Sequence, residues 1–398
     1  MTAQPPVGDW ATDFDHTDPE YNADAHAIWD QLRDECPVAH TDRFGGAWLP
    51  TRHEDVSAIA YDLENYTSQG VVVSPNRPEE PPPLGPAPPI TSDPPAHSEA
   101  RRLLLPAFSP KVIAGMEETT RELCRGLIAD LPVTDGKVDA AVHYSQHIPV
   151  MVITKMLGCP PQDGEIFRTV INRVIENPGS SNDLTYEESF DSYVDQRIEE
   201  HRQNPQDDLI SYLIDTEFMG QPLSTAHIRG TITLLIIAGI DTTWSAIGSS
   251  LWHLATHPED RQRLVDDPSL MSTAVEEFLR AYAPVTMARL AATDHELGGC
   301  PVSKGDWILL PFPAANRDPE AFERADEVIL DRQKNRHSAF GLGIHRCLGS
   351  NLARLELRVA LEEWLAAIPE FSLDPSAEMR WSGGQIRGPR ELPFLIPG

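Results

Sequence analysis

The stretch Phe340-Gly-Leu-Gly-Ile-His-Arg-Cys-Leu-Gly349 decides the fold. It places Cys347 in a glycine-rich turn directly before residues 350–368, whose apolar spacing predicts a helix. A metal-binding thiolate needs backbone amides near its sulfur, and glycines such as Gly343 and Gly349 let the main chain approach closely. The positive end of the following helix also favours an ionised sulfur. The turn therefore predicts a thiolate metal ligand at Cys347.

The residues of this turn allow two other interpretations to be compared with a metal ligand. A nucleotide-binding loop of the form G-x-G-x-x-G would need glycine where Arg346 stands, so that pattern fails. An inert buried cysteine in a glycine turn fits the same residues and stays open at this point.

Composition and charge narrow the classes of partner. The 398 residues carry 32 Lys and Arg against 61 Asp and Glu, a formal net charge of −29, which repels nucleic acid and anionic membrane. The five cysteines are widely spaced without a C-x-x-C pair, which argues against a disulfide framework, a zinc site or a cysteine-ligated iron–sulfur cluster. The acidic first residues lack the pattern of a signal peptide, and the longest apolar stretch, residues 231–240, is too short to span a bilayer. We expect a cytoplasmic protein without a membrane partner.

Helical patterns dominate the chain. The longest runs over residues 225–256, with Ser224 as a candidate N-cap and Pro258 just beyond its end. Its middle, residues 231–240, is apolar nearly all round and should be buried on several sides. Further helices are predicted at residues 99–105, 114–130, 209–218 and 272–282, and short strands at residues 47–50, 71–73, 289–293, 307–310 and 392–396. These patterns predict a mainly α (α+β) fold with small peripheral β-sheets, and residues 1–398 form one predicted domain.

One proline-rich segment interrupts the helical patterns. Residues 74–95 contain so many prolines that an extended loop is expected. Apolar Leu84 and Ile90 lie within it, and helical patterns resume on both sides. We favour a loop packed over a site, with a disordered linker as the alternative.

The middle of the long helix carries the hexapeptide Ala238-Gly-Ile-Asp-Thr-Thr243. Glycine inside a helix costs about 1 kcal/mol against alanine, so we expect Gly239 to let a flat ligand or dioxygen approach the backbone. Thr242 can bond back to a carbonyl, and Asp241 can exchange protons with solvent. A threonine-rich kink with an incidental acid is the alternative.

Both motifs resemble those of the cytochrome P450 family. The cysteine turn is similar to the family's haem-ligand loop, F-x-x-G-x-[H/R]-x-C-x-G, at every fixed position, and residues 238–243 resemble its A-G-x-D-T-T oxygen-activation motif. The resemblance implies a cytochrome P450-like helical fold that binds haem b, with Cys347 as the axial ligand. It also implies that Asp241 and Thr242 deliver protons during oxygen activation. The cofactor-binding residues it implies are His97, Arg101, Ala238, Gly239, Arg289, Phe340, Gly341, His345, Cys347 and Gly349.

Three further segments, residues 93–102, 277–280 and 387–393, resemble the family and follow its order. Glu277-Phe-Leu-Arg280 is similar to its E-x-x-R motif, whose ion pair contacts an arginine of a later loop, here Arg332. Taken alone, such a pair at i and i+3 is ordinary on a surface helix. Residues 387–393, Arg-Gly-Pro-Arg-Glu-Leu-Pro, are similar to the terminal signature.

Candidate propionate ligands come from residues 93–102, which resemble the start of the family's propionate-binding helix, and from a later predicted strand. His97 and Arg101 stand four residues apart, so they share one face of the helix that begins after Asp93-Pro-Pro95, and two cations suit an anionic ligand. A solvated basic face is the alternative. The resemblance assigns propionate contacts to His345 and Arg289 as well.

The resemblance implies a monooxygenase that inserts one atom of O2 into a small apolar organic substrate. Since no flavin or iron–sulfur module follows the haem segment, electrons should come from a separate ferredoxin and ferredoxin reductase. An acidic ferredoxin would need a basic patch, predicted at Arg102, Lys334, Arg336, Arg346 and Arg354. A non-catalytic haem-binding sensor and a peroxide-driven haem enzyme or isomerase are the alternatives, and the Asp241-Thr242 pair argues against them.

The sequence predicts an apolar substrate pocket. By position its lining residues are Val72, Leu84, Ile90, Leu234, Ile237, Ala238, Val285, Thr286, Met287 and Ile386. Substituted aromatics, terpenoids, fatty acids and polyketides all fit such a pocket. Hydroxylation, O-demethylation and epoxidation are equally open.

Overall fold

The computed structural model describes residues 5–73, 86–173 and 184–397, and these are mainly helical with small sheets, as the sequence predicts. The helices are α1 (Pro19–Ala23), α2 (Ala25–Glu35), α3 (His53–Tyr61), α4 (Ala96–Leu104), α5 (Pro110–Ala114), α6 (Glu117–Ala129), α7 (His147–Met156), α8 (Gly164–Ile171), α9 (Leu184–Gln203), α10 (Leu209–Ile214), α11 (Thr225–Thr256), α12 (Pro258–Asp266), α13 (Met271–Ala281), α14 (Phe312–Ala315) and α15 (Ser350–Ala367).

The strands are short. They are β1 (Val38–Thr41), β2 (Ala47–Pro50), β3 (Tyr66–Thr67), β4 (Lys137–Asp139), β5 (Glu217–Phe218), β6 (Gln221–Pro222), β7 (Thr286–Ala291), β8 (His295–Leu297), β9 (Cys300–Val302), β10 (Trp307–Pro311), β11 (Ser372–Leu373), β12 (Arg380–Ser382), β13 (Gly388–Glu391) and β14 (Pro393–Leu395).

The described residues group into two compact units. The first unit draws on Met1–Pro81, Thr273–Cys347 and Trp381–Gly388. The second unit draws on Pro82–Ser272, Leu348–Arg380 and Pro389–Gly398.

The first unit is built on a five-stranded sheet with the order β1-β2-β10-β7-β3. Its strands pair antiparallel except β2 and β10, which run parallel. Alternate residues of β10 enter two separate apolar clusters, Trp307 and Leu309 on one face and Ile308 and Leu310 on the other. Because both faces are covered, β10 is a continuous apolar run and not an alternating one.

The second unit is built around α11, which contacts α7, α9 and α15. Its bounds are those predicted, because the Ser224 hydroxyl accepts a hydrogen bond from the backbone amide of His227 (3.1 Å) and Pro258 already begins α12. By length and composition the helix is apolar enough to cross a membrane, but 61% of its most apolar window is buried within the structure. The core helix of a soluble protein passes the same test.

Two predicted elements were wrong. The helix expected over residues 209–218 ends at Ile214, and Glu217–Phe218 instead forms strand β5 of a hairpin with β6 whose turn holds Gly220 at φ +77°. Residues 71–73 form no strand. The carbonyl of Val71 accepts one hydrogen bond from the Ala288 amide at 3.0 Å, and the strand that pairs with β7 is β3.

The proline-rich loop packs on α11 where it is described. A side chain on Gly230 would put a Cβ atom 2.3 Å from the carbonyl oxygen of Pro86, so only glycine allows this approach. The Thr231 hydroxyl donates to the carbonyl of Pro88 at 3.5 Å. Residues 86–95 are thus a packed loop, and Leu84 lies outside the described residues.

Candidate functional site

The cysteine turn of the first unit is closed by its own backbone. The Cys347 amide donates to the Phe340 carbonyl at 2.7 Å, and the Gly341 amide donates to the Ser338 carbonyl at 2.8 Å. Gly341 has a φ of +69°, a conformation that favours glycine. Cys347 itself carries a thiol and is exposed, so its sulfur is accessible to a ligand.

A second glycine of the turn is required by close packing. Gly343 has a φ of +65°, and a Cβ atom there would lie 2.3 Å from the backbone oxygen of Ala60 at the end of α3. Gly349 differs, because its φ of −79° is open to any residue and it serves as the N-cap position of α15. The predicted need for glycine therefore holds at Gly341 and Gly343 and has no conformational basis at Gly349.

Arg289 and His345 of the first unit are two of the predicted propionate ligands. Arg289 lies on β7 with 6% of its surface exposed, and it donates to the carbonyl of Ala288 at 2.8 Å. The Nε2 atom of His345 is 2.8 Å from the hydroxyl of Ser68, a contact that fixes the imidazole plane. Phe340, in the cysteine turn, is partly buried.

Glu277 is the centre of a buried polar network in the first unit. Its carboxylate accepts two hydrogen bonds of 2.9 Å from the Arg280 guanidinium and one of 2.9 Å from Arg332. Asn335 and the backbone amide of Ile329 donate to the same carboxylate at 3.1 and 2.8 Å. Since Glu277 and Arg280 are both fully buried, this is a paired and satisfied charge cluster and not a surface pair.

The same network reaches the segment before the cysteine turn. Arg280 donates to the carbonyls of Asn316, Ala325 and Glu327. The Asn316 side-chain oxygen in turn accepts hydrogen bonds from the backbone amide and the hydroxyl of Ser338, at 2.7 and 2.8 Å. The network thus anchors the chain two residues ahead of Phe340.

In the second unit, Asp241 and Thr242 lie on α11, which stays helical through both residues. The Thr242 hydroxyl bonds back to the carbonyl of Ala238 at 2.8 Å, the contact that the sequence predicts for an alcohol here. Asp241 is fully buried, and the Arg390 guanidinium lies 2.8 Å from one of its oxygens. A buried carboxylate therefore stands next to a partly exposed alcohol.

Gly239 lies close to a neighbouring helix. A Cβ atom on Gly239 would lie 2.8 Å from the end of the Ile153 side chain on α7, which would have to shift for a larger residue. The neighbouring residue, Ala238, is exposed instead. The predicted burial of residues 231–240 holds for Ile232, Ile236 and Ile240, and it is incomplete on the face of Leu234, Ile237 and Ala238.

The remaining candidates divide between the units. His97 on α4 is 2% exposed and Arg101, one turn later, is partly buried, so the pair does not form a solvated basic face. Of the predicted pocket residues described in the first unit, Val72 is 41% exposed, Val285 and Met287 are partly buried, and Thr286 and Ile386 are buried. Val285 and Ile386 pair through an isolated backbone bridge.

Comparison with known proteins decides the family. The sequence profile of cytochrome P450 matches residues 180–380. A mycinamicin IV hydroxylase/epoxidase from Micromonospora griseorubida is 34% identical over 88% of this chain and 89% of its own length. The chain belongs to the cytochrome P450 family.

Two further relatives of this cytochrome P450 agree with that assignment. A vitamin D(3) 25-hydroxylase from Pseudonocardia autotrophica is 35% identical over 87% of each chain. The solved structure of the bacillaene polyketide synthase cytochrome P450 PksS of Bacillus subtilis 168 has a TM-score of 0.88 and 29% identity over 97% of this chain and 100% of its own. The protein is therefore a cytochrome P450 monooxygenase with the helical fold of that family.

Membership implies a haem held by a cysteine thiolate. The described residues fit this group. An exposed thiol in a closed turn offers the protein ligand, and the buried guanidinium of Arg289 in the same unit suits a propionate of a haem.

Several residues that contact the site of this cytochrome P450 were not predicted from the sequence. Ser68 contacts His345, and Asn316 and Asn335 complete the network around Glu277. Arg390 pairs with Asp241 across 149 residues of sequence. The signal available for Arg390 was its place in the terminal segment 387–393, where a cation follows a proline shortly before an apolar residue.

Proposed function

We propose that this cytochrome P450 binds haem b through the Cys347 thiolate. The observation that carries the proposal is the geometry of the turn, in which Gly341 and Gly343 adopt conformations that favour glycine and the Cys347 amide closes onto Phe340. A haem whose iron is bound by a thiolate supplies electron density that favours cleavage of the O–O bond. Arg289 and His345 would bind its propionates, because the Arg289 guanidinium is buried and so is already removed from water. The same role is proposed for His97 and Arg101 of the second unit, where His97 is buried.

Asp241 and Thr242 are proposed to handle the protons of the reaction. A carboxylate accepts and releases a proton at a side-chain oxygen, and the adjacent alcohol can both donate and accept a hydrogen bond. Thr242 is held by its bond to the Ala238 carbonyl, which fixes the position of its oxygen. This pair favours a monooxygenase over a haem-binding sensor, because a sensor has no use for proton delivery.

The substrate is proposed to be an apolar organic molecule of the polyketide class. The incompletely buried side chains of Leu234, Ile237 and Ala238 give α11 an apolar face suited to such a molecule. Among the classes that the sequence leaves open, polyketides are supported by the likeness to PksS, a cytochrome P450 of the bacillaene polyketide synthase. Relatives named as a hydroxylase and as a hydroxylase/epoxidase support hydroxylation or epoxidation as the outcome of oxygen insertion.

Electrons are proposed to come from a ferredoxin and its reductase in the cytoplasm. A protein with a net charge of −29 repels an acidic carrier unless cations cluster locally. Arg346, next to the proposed ligand, is exposed, as are Lys334 and Arg336 of the same unit. Arg102 is exposed and pairs with Glu99, and Arg354 is partly buried. The alignment with the solved relative over 97% of this chain also supports one catalytic domain.

The Thr242→Ala variant tests the proposed function. We expect it to consume reduced nicotinamide cofactor through the ferredoxin system but to release peroxide in place of oxidised product. Thr256→Ala is a matched control, because Thr256 makes the same backward bond to a carbonyl at the end of the same helix (3.0 Å to Trp252). A Thr242→Ala protein that formed product with unchanged coupling would contradict the proposal. A wild-type protein that bound carbon monoxide but oxidised no apolar compound would favour the sensor.

A further inference from the structure

The carboxylate of Asp241 is held by one buried guanidinium. Arg390 Nη2 lies 2.8 Å from Asp241 Oδ1 and 3.0 Å from Oδ2, and only 1% of the Arg390 side chain and none of the Asp241 side chain is exposed. Arg390 Nη1 donates to the hydroxyl of Ser245, one helical turn further along α11, at 3.0 Å. The guanidinium therefore spans two successive positions on one face of the helix.

Two more contacts hold Arg390 in this place. Its guanidinium carbon lies 4.6 Å from the ring centre of Trp244, a cation–π contact in a buried setting. The preceding residue, Pro389, packs on Gly248, where a Cβ atom would lie 2.7 Å from the proline ring. Arg390 is thus positioned by α11 itself, within a single turn of Asp241.

We propose that Arg390 is a positioning residue that keeps the Asp241 carboxylate ionised and in one rotamer for proton delivery. The inference rests on the proposed function of Asp241. A buried carboxylate without a cation takes up a proton, since burial disfavours the charged form, whereas a guanidinium within 3 Å favours it. During turnover Asp241 accepts a proton at a carboxylate oxygen and gives one up again, so the ion pair is restored and no other reactant is consumed.

The test compares Arg390→Met, Arg390→Lys and Asp241→Asn in the haem-loaded protein. We expect Arg390→Met to lower the rate of product formation about tenfold or more, the scale of a proton-transfer contribution, and to raise the solvent deuterium isotope effect. Lysine restores the charge without the two-pronged contact, so Arg390→Lys should recover part of the rate. The double variant that combines Arg390→Met with Asp241→Asn should form product no more slowly than Asp241→Asn alone, because both changes act on one carboxylate.

Arg261→Met is the matched control. Arg261 also lies in the second unit and stacks on an aromatic ring, that of Phe371 at 5.0 Å, but its described hydrogen bonds go to the carbonyls of Leu254 and Phe371 and not to a carboxylate. Its loss should leave the isotope effect unchanged. A purely structural role of Arg390 would leave the isotope effect of Arg390→Met unchanged as well, and would overturn the inference.

A second readout does not depend on turnover. Arg390→Met leaves a carboxyl group buried without its cation, so Asp241→Asn in the same protein should raise its Tm. In wild-type protein Asp241→Asn should lower the Tm. The inference would be wrong if the Tm changes of Arg390→Met and Asp241→Asn were additive in the double variant. It would also be wrong if Arg390→Met kept the full rate of product formation while Asp241→Asn lost it. In both cases the proposed function would stand. If Asp241→Asn itself turned over normally, the proposed function would fail and the inference with it.

Discussion

Arg332 and Glu277 form a buried ion pair, with Arg332 Nε 2.9 Å from the Glu277 carboxylate although the two residues are 55 positions apart in the sequence. Glu277 has no exposed side-chain surface, and the Arg332 side chain is 8% exposed. The pair joins α13 to the segment that leads into the cysteine turn. The stability of this unit should therefore depend on a charge that never meets solvent.

Glu277→Gln should lower the free energy of unfolding by about 3–5 kcal/mol, because it leaves two buried guanidinium groups without their anion. Glu327→Gln is the control, since Glu327 makes an exposed pair with Arg324 (51% and 56% exposed) and its loss should cost about 1 kcal/mol or less. Denaturant titration of both variants measures the difference. Equal losses would show that the buried network adds no stability.

Gly343→Ala should destabilise the cysteine turn by more than the cost of placing alanine in a left-handed backbone conformation. A non-glycine residue in the left-handed region costs roughly 1–2 kcal/mol, and the Cβ atom would also meet the Ala60 oxygen at 2.3 Å. Gly220→Ala carries only the first penalty, because its φ is +77° and no atom lies within 4 Å of the added carbon. Unfolding free energy and haem content should both fall further for Gly343→Ala. The same loss in both variants would argue that Ala60 can move away.

His16 should make the protein less stable in mild acid. Burial lowers the pKa of His16 to about 4 from its ordinary value of 6.5, against an opposing effect of the nearby Asp15 carboxylate. The unfolded chain therefore takes up a proton that the folded protein refuses, and stability falls as pH drops from 6.5 towards 4. His16→Gln should reduce this loss by up to about 3 kcal/mol, measured by denaturant unfolding across the range.

Glu117→Gln distinguishes the loss of stability caused by His16 from the loss caused by protonation of carboxylates. Hydrogen bonds from Arg358 and Arg121 lower the pKa of Glu117 to about 2 from 4.5, so its contribution is lost only below pH 4.5. That variant should leave the slope between 6.5 and 4.5 unchanged. An unchanged slope in His16→Gln would contradict the assignment to His16.

Charge reversal at Arg346 tests electron delivery. Arg346 is exposed beside the proposed iron ligand, so Arg346→Glu should slow reduction by ferredoxin roughly tenfold at low salt and flatten its dependence on ionic strength. Lys304→Glu makes the same change of charge at another exposed position of the unit, between β9 and β10. Stopped-flow reduction measures both. Normal reduction of Arg346→Glu would remove the proposed docking patch.

Local signals in the sequence predicted the fold well. The ends of α11 follow from Ser224 and Pro258, and the cysteine turn follows from its glycines, because each depends on residues within a few positions. The strand predicted at residues 71–73 was wrong because strand formation depends on a distant partner, β7, which pairs with β3 instead. Apolar spacing alone also could not reveal which face of α11 is left incompletely buried.

The contacts that the sequence did not predict join distant segments. Arg390 approaches Asp241 where the terminal segment packs Pro389 on Gly248, and no periodicity in the sequence predicts that contact. Ser68 reaches His345 over 277 residues in the same way. The approach of Ile153 to Gly239 is a further packing relation that apolar spacing did not reveal.

The absorption spectrum of the reduced protein with carbon monoxide tests the central claim, thiolate ligation by Cys347, most directly. We expect a strongly red-shifted Soret band in the wild-type protein and in Cys159→Ala, since Cys159 is a buried thiol elsewhere in the chain. Cys347→Ala should lose the band. A red-shifted band that survived in Cys347→Ala, or an unshifted band in the wild-type protein, would contradict the account.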